Sequence, residues 1–164
     1  MLAMHPPQEM LSEQEIATLV SLLAKVKLPA PYEAFKAISK SVPLVAVDIA
    51  YMPDEDHILL TYRKDEFYDN WHIPGSMLLT GEHPEKALVR VAKNELGVEI
   101  GEFQFINYAH ELYPRGHSII LLFKVPAIQK PADGQYFRLD ELPEKFLEEQ
   151  HGEIEFLKSL RKRQ

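Results

Sequence analysis

With 164 residues and 46% hydrophobic content, the chain has enough apolar material for one compact domain with a real core, and needs no second domain. A net charge of −7 and a pI near 5.5 argue against long-range attraction to nucleic acid or an anionic membrane, while a small anionic ligand can still be held by local Arg and Lys. There are no cysteines, which excludes disulfide scaffolds, thiolate metal sites and cysteine nucleophiles, so any metal would be hard and bound by oxygen.

Residues 1–11 read as a loose terminus without a cationic segment followed by an apolar run, and no stretch approaches the roughly 18 apolar residues of a membrane span. A cytoplasmic protein is the expectation. Ser12-Glu13-Gln14-Glu15 forms a capping box ahead of Ile16, Leu19, Val20, Leu22, Leu23 and Val26, which predicts a helix of about four turns. Pro29 and Pro31 break it, and residues 32–40 form a second, shorter helix that ends before Pro43. Tyr32, Phe35 and Ile38 recur at i+3 on it and are expected to cap the core of their own chain. Covering an open sheet or meeting a second subunit, as in a homodimer, are the alternatives.

Residues 44–51 are a strong strand signal, and the turn Pro53-Asp54-Glu55-Asp56 leads into a second strand over 57–63, a hairpin. After a polar loop over 64–70, Trp71-His72-Ile73 is a short strand that delivers the chain into Pro74-Gly75, and residues 77–79 suit another. A helix follows: Pro84 fits its first turn and Gly97 the left-handed residue past its end, with Ala87, Leu88, Val91, Ala92 and Leu96 on the inward half. Glu95 lies in the middle of that apolar arc. There it meets both desolvation and the negative end of the helix dipole, so it needs a cation. Arg90 is turned away by roughly 140° on the same wheel, which leaves a bound metal ion as one reading and a rim position reaching solvent as the other.

Residues 98–108 read as one long or bent strand with a bulge at Gly101, followed by a loop over 110–117. The nearly continuous apolar run 118–125 predicts a central strand buried on both faces. A loop over 126–134 precedes a last strand at 135–139. Residues 140–143 open a terminal helix that 153–161 continues or repeats, with Ile154, Leu157 and Leu160 as its buried stripe. Strands on both sides of a central helix, closed by a C-terminal helix, imply a mixed α/β sandwich.

The stretch from Gly75 to Val98 resembles the signature of the Nudix hydrolases, G-x5-E-x7-R-E-U-x-E-E-x-G-U with U aliphatic. Aligning its last glycine with Gly97 places Glu82, Arg90, Glu95 and Val98 on the first glutamate, the arginine, the last glutamate and the final aliphatic. Trp71 to Gly75 looks like the family's entry to the motif, and Tyr136 to Leu142 like its last strand running into the final helix. The resemblance extends over about residues 43 to 150. It implies a Nudix-like α/β/α sandwich with a mixed sheet, residues 43–164 forming the domain and 1–42 an N-terminal helical extension. Three positions depart from the signature: Ser76 for a glycine, and Val91 and Asn94 for glutamates. An aliphatic after the arginine and a non-acidic residue before the last glutamate also occur in the GDP-mannose mannosyl hydrolase branch, whose first two strands 42–48 and 59–63 resemble. Met77 replaces that branch's second arginine, and the loop 129–133 lacks its catalytic histidine.

The resemblance implies Mg²⁺- or Mn²⁺-dependent hydrolysis of a nucleoside diphosphate linked to another moiety, a nucleotide sugar by the similarity to that branch. It assigns the metal to Ser76 through its carbonyl, Glu82 and Glu95, with Glu82 also expected to tie its loop to Arg90, which orients carboxylates. Arg63 matches a phosphate-contacting arginine of the branch. Arg115 and Lys130 join it as candidate phosphate contacts, because an acidic protein must place its cations locally. Among His72, His110 and His117, His110 is the preferred replacement base, beside Glu111 and near Tyr113 and Arg115 in the expected substrate loop. The expected partner is a nucleotide-type small molecule, with neither nucleic acid nor membrane. The alternative is a catalytically weakened nucleotide-binding or interaction module, since one glutamate and backbone carbonyls make a weak Mg²⁺ site.

Overall fold

The computed structural model describes residues 11–26, 30–65, 68–113 and 116–161, and divides into two compact units, Met1–Pro31 and Tyr32–Gln164. The first unit contributes helix α1 (Glu13–Leu23). Its capping box forms as read: the Ser12 hydroxyl accepts from the Glu15 N–H at 3.4 Å and the Glu15 carboxylate accepts from the Ser12 N–H at 2.8 Å. The helix is a turn shorter than expected, ending at Ala24, and none of its residues is buried.

The second unit holds α2 (Tyr32–Ser41), β1 (Leu44–Met52), β2 (His57–Lys64), β3 (Asp69–His72), β4 (Gly75–Met77), α3 (Pro84–Val91), β5 (Gln104–Tyr113), β6 (Gly116–Pro126), β7 (Gln135–Arg138) and α4 (His151–Arg161). Helix α2, grouped with the extension in the sequence, thus packs with the larger unit. Four strands form a mixed sheet in the order β4-β1-β6-β5, with β1 parallel to β6, and three form a second sheet, β3-β2-β7. Strand β1 is buried from Ala46 to Met52 and its two faces serve two cores. Val47, Ile49 and Tyr51 pack with Ala87, Leu88, Val91 and Leu96 of the central helix, and Ala50 and Met52 with Leu122 and with Ile154 and Leu157 of α4.

Four expectations are corrected. The strands at 44–51 and 57–63 are not a hairpin, because β1 has both edges taken by β4 and β6 while β2 pairs with β3 and β7. Strand β5 begins at Gln104, its irregularity falls between Phe105 and Asn107 instead of at Gly101, and it runs on to Tyr113. The expected loop at 110–117 is therefore mostly ladder, with Tyr113 opposite Gly116. Residues 140–147 are not helical: the Trp71 N–H donates to the Lys145 carbonyl and the Leu147 N–H to the Trp71 carbonyl, so this segment lies along β3 and the helix starts only at His151. Strand β6 is central as expected, although Ile119 and Leu121 are only half-buried.

One buried group works against the fold. Glu153, in the first turn of α4, is 1% exposed, and neither of its carboxylate oxygens has a hydrogen-bond partner among the described residues. Burial, reinforced by the nearby charges of Asp48 and Glu111, raises its pKa well above the ordinary value near 4.5. The unfolded chain ionises this group near that ordinary value while the folded chain resists, so stability falls as pH rises above it. Glu153→Gln is expected to melt a few degrees higher than the parent at pH 8 and to show no gain at pH 4. Thermal melts at the two pH values check this, and a gain that is absent at pH 8 would contradict it.

Candidate active site

The loop between β4 and α3 is fastened by one ion pair. Arg90 Nε donates to Glu82 Oε1 at 2.8 Å and Nη2 to Oε2 at 2.7 Å, a two-pronged contact that adds direction to charge. The same guanidinium donates to the Met77 carbonyl at 2.9 Å and to the Ser76 hydroxyl at 3.4 Å, while Glu82 also accepts the Leu79 N–H at 3.0 Å. Arg90 beside it holds the Glu82 carboxyl down at about 2. The pair is thus intact above the ordinary carboxylate range and lost only as pH falls toward 2. With both its oxygens engaged in this way, Glu82 is part of the loop's clamp.

Glu95 is in the opposite situation. After Val91 the helix widens into a π turn over Ala92–Leu96, a kind of irregularity that often marks functional sites, and closes on Gly97 at φ 66°. The bearing of a regular helix is not kept through that turn. Among the described residues the Glu95 carboxylate accepts one hydrogen bond, from the Gly75 N–H at 3.3 Å. Burial pushes its pKa up to about 7, against the weaker pull of that N–H and of the Arg63 and Arg90 charges. Of the two positions where the signature has a glutamate and this chain does not, Val91 is packed in the core and Asn94 is exposed.

Gly75 is fixed from its other side by Asp48. A side chain at Gly75 would place its first carbon 2.0 Å from Asp48 Oδ1, so only glycine fits there. Asp48 Oδ2 accepts from Gln150 Nε2 at 2.7 Å, and Gln150 Oε1 accepts the Ile73 N–H at 2.7 Å. A residue of β1 and a residue just before α4 thereby position the strand that positions Glu95. Sequence reasoning missed both. The available signal was Asp48 itself, a carboxylate inside the apolar run 44–51, which must find a partner when buried.

These groups open onto a cavity of about 550 Å³, the size of a small-molecule site. Glu95, Ser76, Gly75, Asp48, Arg63 and His72 line it together with the side chains of α2. Arg63 pairs with Asp65 and lies 4.7 Å from the centre of the Tyr68 ring, which directs its guanidinium. Burial lowers the pKa of His72; its Nδ1 lies 2.9 Å from the Ile73 carbonyl and its Nε2 3.2 Å from the Thr61 hydroxyl. Both ring nitrogens are therefore engaged. His110 stands exposed on β5, paired with His117 by an edge-on ring contact at 6.0 Å, and neither lines the cavity. Lys130 is exposed in the loop before β7 and is also outside it. Arg115 lies outside the described residues.

Among the described residues no three His, Asp or Glu side chains converge as a ready-made metal cage. The donor set fits a hard ion that arrives with most of its own ligands. Mg²⁺ is commonly held by one or two carboxylates together with water and substrate phosphate oxygens, and Glu95, which faces the cavity and has no cation in contact among the described residues, is the side chain suited to it.

A family model described as the NUDIX domain matches residues 42–159. The low-salt glycan biosynthesis protein Agl8 of Haloferax volcanii is 38% identical over 71 residues, which is 43% of this chain and 45% of that protein. The ADP-ribose pyrophosphatase of Methanocaldococcus jannaschii is 27% identical over 110 residues, 62% of this chain and 65% of that one. The chain thus spans less than two thirds of the length of either relative. Among solved structures, the MutT Nudix hydrolase from Burkholderia pseudomallei aligns with a TM-score of 0.61 at 22% identity, covering 71% of this chain and 97% of that one, a likeness of fold. Because the matched span contains both sheets, the clamp of Glu82 on Arg90 and the turn that carries Glu95, the chain belongs to the Nudix family.

Proposed function

We propose that the chain hydrolyses a nucleoside diphosphate linked to another moiety, with a nucleotide sugar as substrate, in a divalent-metal-dependent reaction. The observation that carries this reading is Glu95, a half-buried carboxylate that accepts the Gly75 N–H and faces a cavity large enough for such a molecule. The names of two relatives support it from different sides, one concerned with glycan biosynthesis and the other with cleavage of ADP-ribose.

When bound with the diphosphate, a divalent ion would supply charge stabilisation for the leaving phosphate. The protein's part is positional. Glu95, oriented by the Gly75 N–H, would hold the ion from the protein side, with the backbone of Ser76, the residue after Gly75 in β4, as the second contributor. Arg63 is a cavity-lining cation suited to a phosphate oxygen, since its guanidinium is already oriented by Asp65 and Tyr68. The clamp of Glu82 on Arg90 keeps the loop in shape through the reaction. His110, its ring partner His117 and Lys130 have no role in this reading.

A second reading rests on Val91 and Asn94, which leave the helix one carboxylate where the signature has three. On this reading the fold is a nucleotide-binding module with little turnover. Calorimetry with a nucleotide sugar, with and without Mg²⁺, separates the two: tight binding that ignores the metal and yields no product favours the module.

Turnover of at least one compound among nucleotide sugars, ADP-ribose, dinucleotides and nucleoside triphosphates is expected with Mg²⁺ or Mn²⁺, and none with chelator. Correctly folded protein that turns over none of them would overturn the hydrolase. Glu95→Gln should lower kcat by about two orders of magnitude or more. Without divalent ion the same variant should melt at or above the parent at pH 8. The folded pKa near 7 means the parent loses stability as pH rises from 4.5 through 7, and glutamine escapes that loss. A variant that melts several degrees lower yet keeps its turnover would make Glu95 a structural residue. Arg63→Ala should raise KM about tenfold with a smaller change in kcat, and an unchanged KM would remove Arg63 from the phosphate site.

A further inference from the structure

Helix α2 lies before the matched Nudix span, yet it forms one wall of the cavity. Tyr32, Phe35, Lys36 and Lys40 all line it, and their spacing puts them on one helical face. The seat of this helix is built into the sheet. Gly116, at φ +142°, faces the α2 backbone so closely that an added side chain would start 1.8 Å from the Ser39 carbonyl oxygen, and Ser39 is 1% exposed. The close approach of this wall thus depends on the glycine that opens β6.

The chemistry of the cavity is divided. Glu95, Asp48 and Arg63 suit an ion and a diphosphate, whereas α2 presents two aromatic rings, Tyr32 and Phe35, with centroids 6.4 Å apart and planes inclined by 41°. Lys36 Nζ stands 4.8 Å from the Tyr32 ring centre. The floor beneath includes Ala46 and Ile120, which are buried and apolar. The rings and the apolar floor offer a phosphate nothing, whereas a flat, weakly polar heterocycle gains from them, because every base has a π-face to stack on a ring.

We propose that α2 is the nucleobase-recognition wall of the cavity, with Phe35 and Tyr32 as the stacking residues. The proposal rests on the reading of the cavity as a nucleotide site but does not require turnover. Since stacking tolerates any base, α2 contributes affinity for the nucleoside more than choice among bases. Sugar rings can also lie on aromatic faces, and the test separates the two.

Equilibrium binding is measured by calorimetry for ADP, GDP, CDP and UDP, for inorganic pyrophosphate, and for glucose 1-phosphate, each with Mg²⁺. For the parent, the nucleoside diphosphates should bind more tightly than pyrophosphate. Phe35→Ala should weaken all four nucleoside diphosphates about tenfold and leave pyrophosphate unchanged, and Phe35→Tyr should restore them. Tyr32→Ala, at a half-exposed position, repeats the test should Phe35→Ala fail to fold. Parent protein that binds nucleoside diphosphates in this pattern without hydrolysing any linked compound would sink the hydrolase and keep the base wall. Hydrolysis with nucleoside diphosphate affinity unchanged in both alanine variants would sink the base wall alone. Loss confined to glucose 1-phosphate, or equal loss for pyrophosphate, would also overturn it.

Discussion

Glu95 has lost most of its water and received in exchange one backbone N–H at 3.3 Å. Much of the surrounding structure is arranged around that imbalance. The only arginine near it on the same helix, Arg90, is fully engaged with Glu82, the Met77 carbonyl and the Ser76 hydroxyl, so it reaches Glu95 only through its field. Two glutamates of one motif are thereby pulled in opposite directions, Glu82 to about 2 by a charged partner and Glu95 to about 7 by burial. Such a separation gives one carboxylate a structural part and leaves the other open to chemistry.

The supports reach far along the chain. Glu95 depends on Gly75, Gly75 on its close fit against Asp48, and Asp48 on Gln150, which also fixes Ile73. Strand β1, strand β4, the π turn and the start of α4 therefore meet at a single point. Glu153, one turn beyond Gln150, adds a further buried carboxyl beside Asp48 and makes this corner costly to stability. Functional corners of folds commonly carry this kind of local conflict.

Local signals were legible where one side chain or one period decides the outcome. The capping box at Ser12, Pro84 in a first turn, Gly97 in a left-handed position and the inward face Ala87 to Leu96 could all be read directly. Pairing could not, because it is settled by competition between distant segments: β1 and β2 read as a hairpin, yet each had better edges elsewhere. The same competition extended β5 through His110 and removed that histidine from the imagined substrate loop. The partial burial of Glu95 was legible from the apolar residues that flank it on the helix, whereas the π turn that sets its direction was not. Gln150 and the aromatic face of α2 were not, since their meaning appears only when segments 40 to 100 residues apart are brought to one cavity.

The cation that Glu95 is proposed to receive can be observed directly with Mn²⁺, whose electron paramagnetic resonance signal falls when the ion is bound. In the parent, Mn²⁺ should bind tightly only when a non-hydrolysable nucleoside diphosphate analogue is also present, since protein and diphosphate each supply part of the ligand set. Glu95→Gln should abolish that cooperative binding while leaving the fold intact. Cooperative Mn²⁺ binding of equal strength in the parent and in Glu95→Gln would contradict the account.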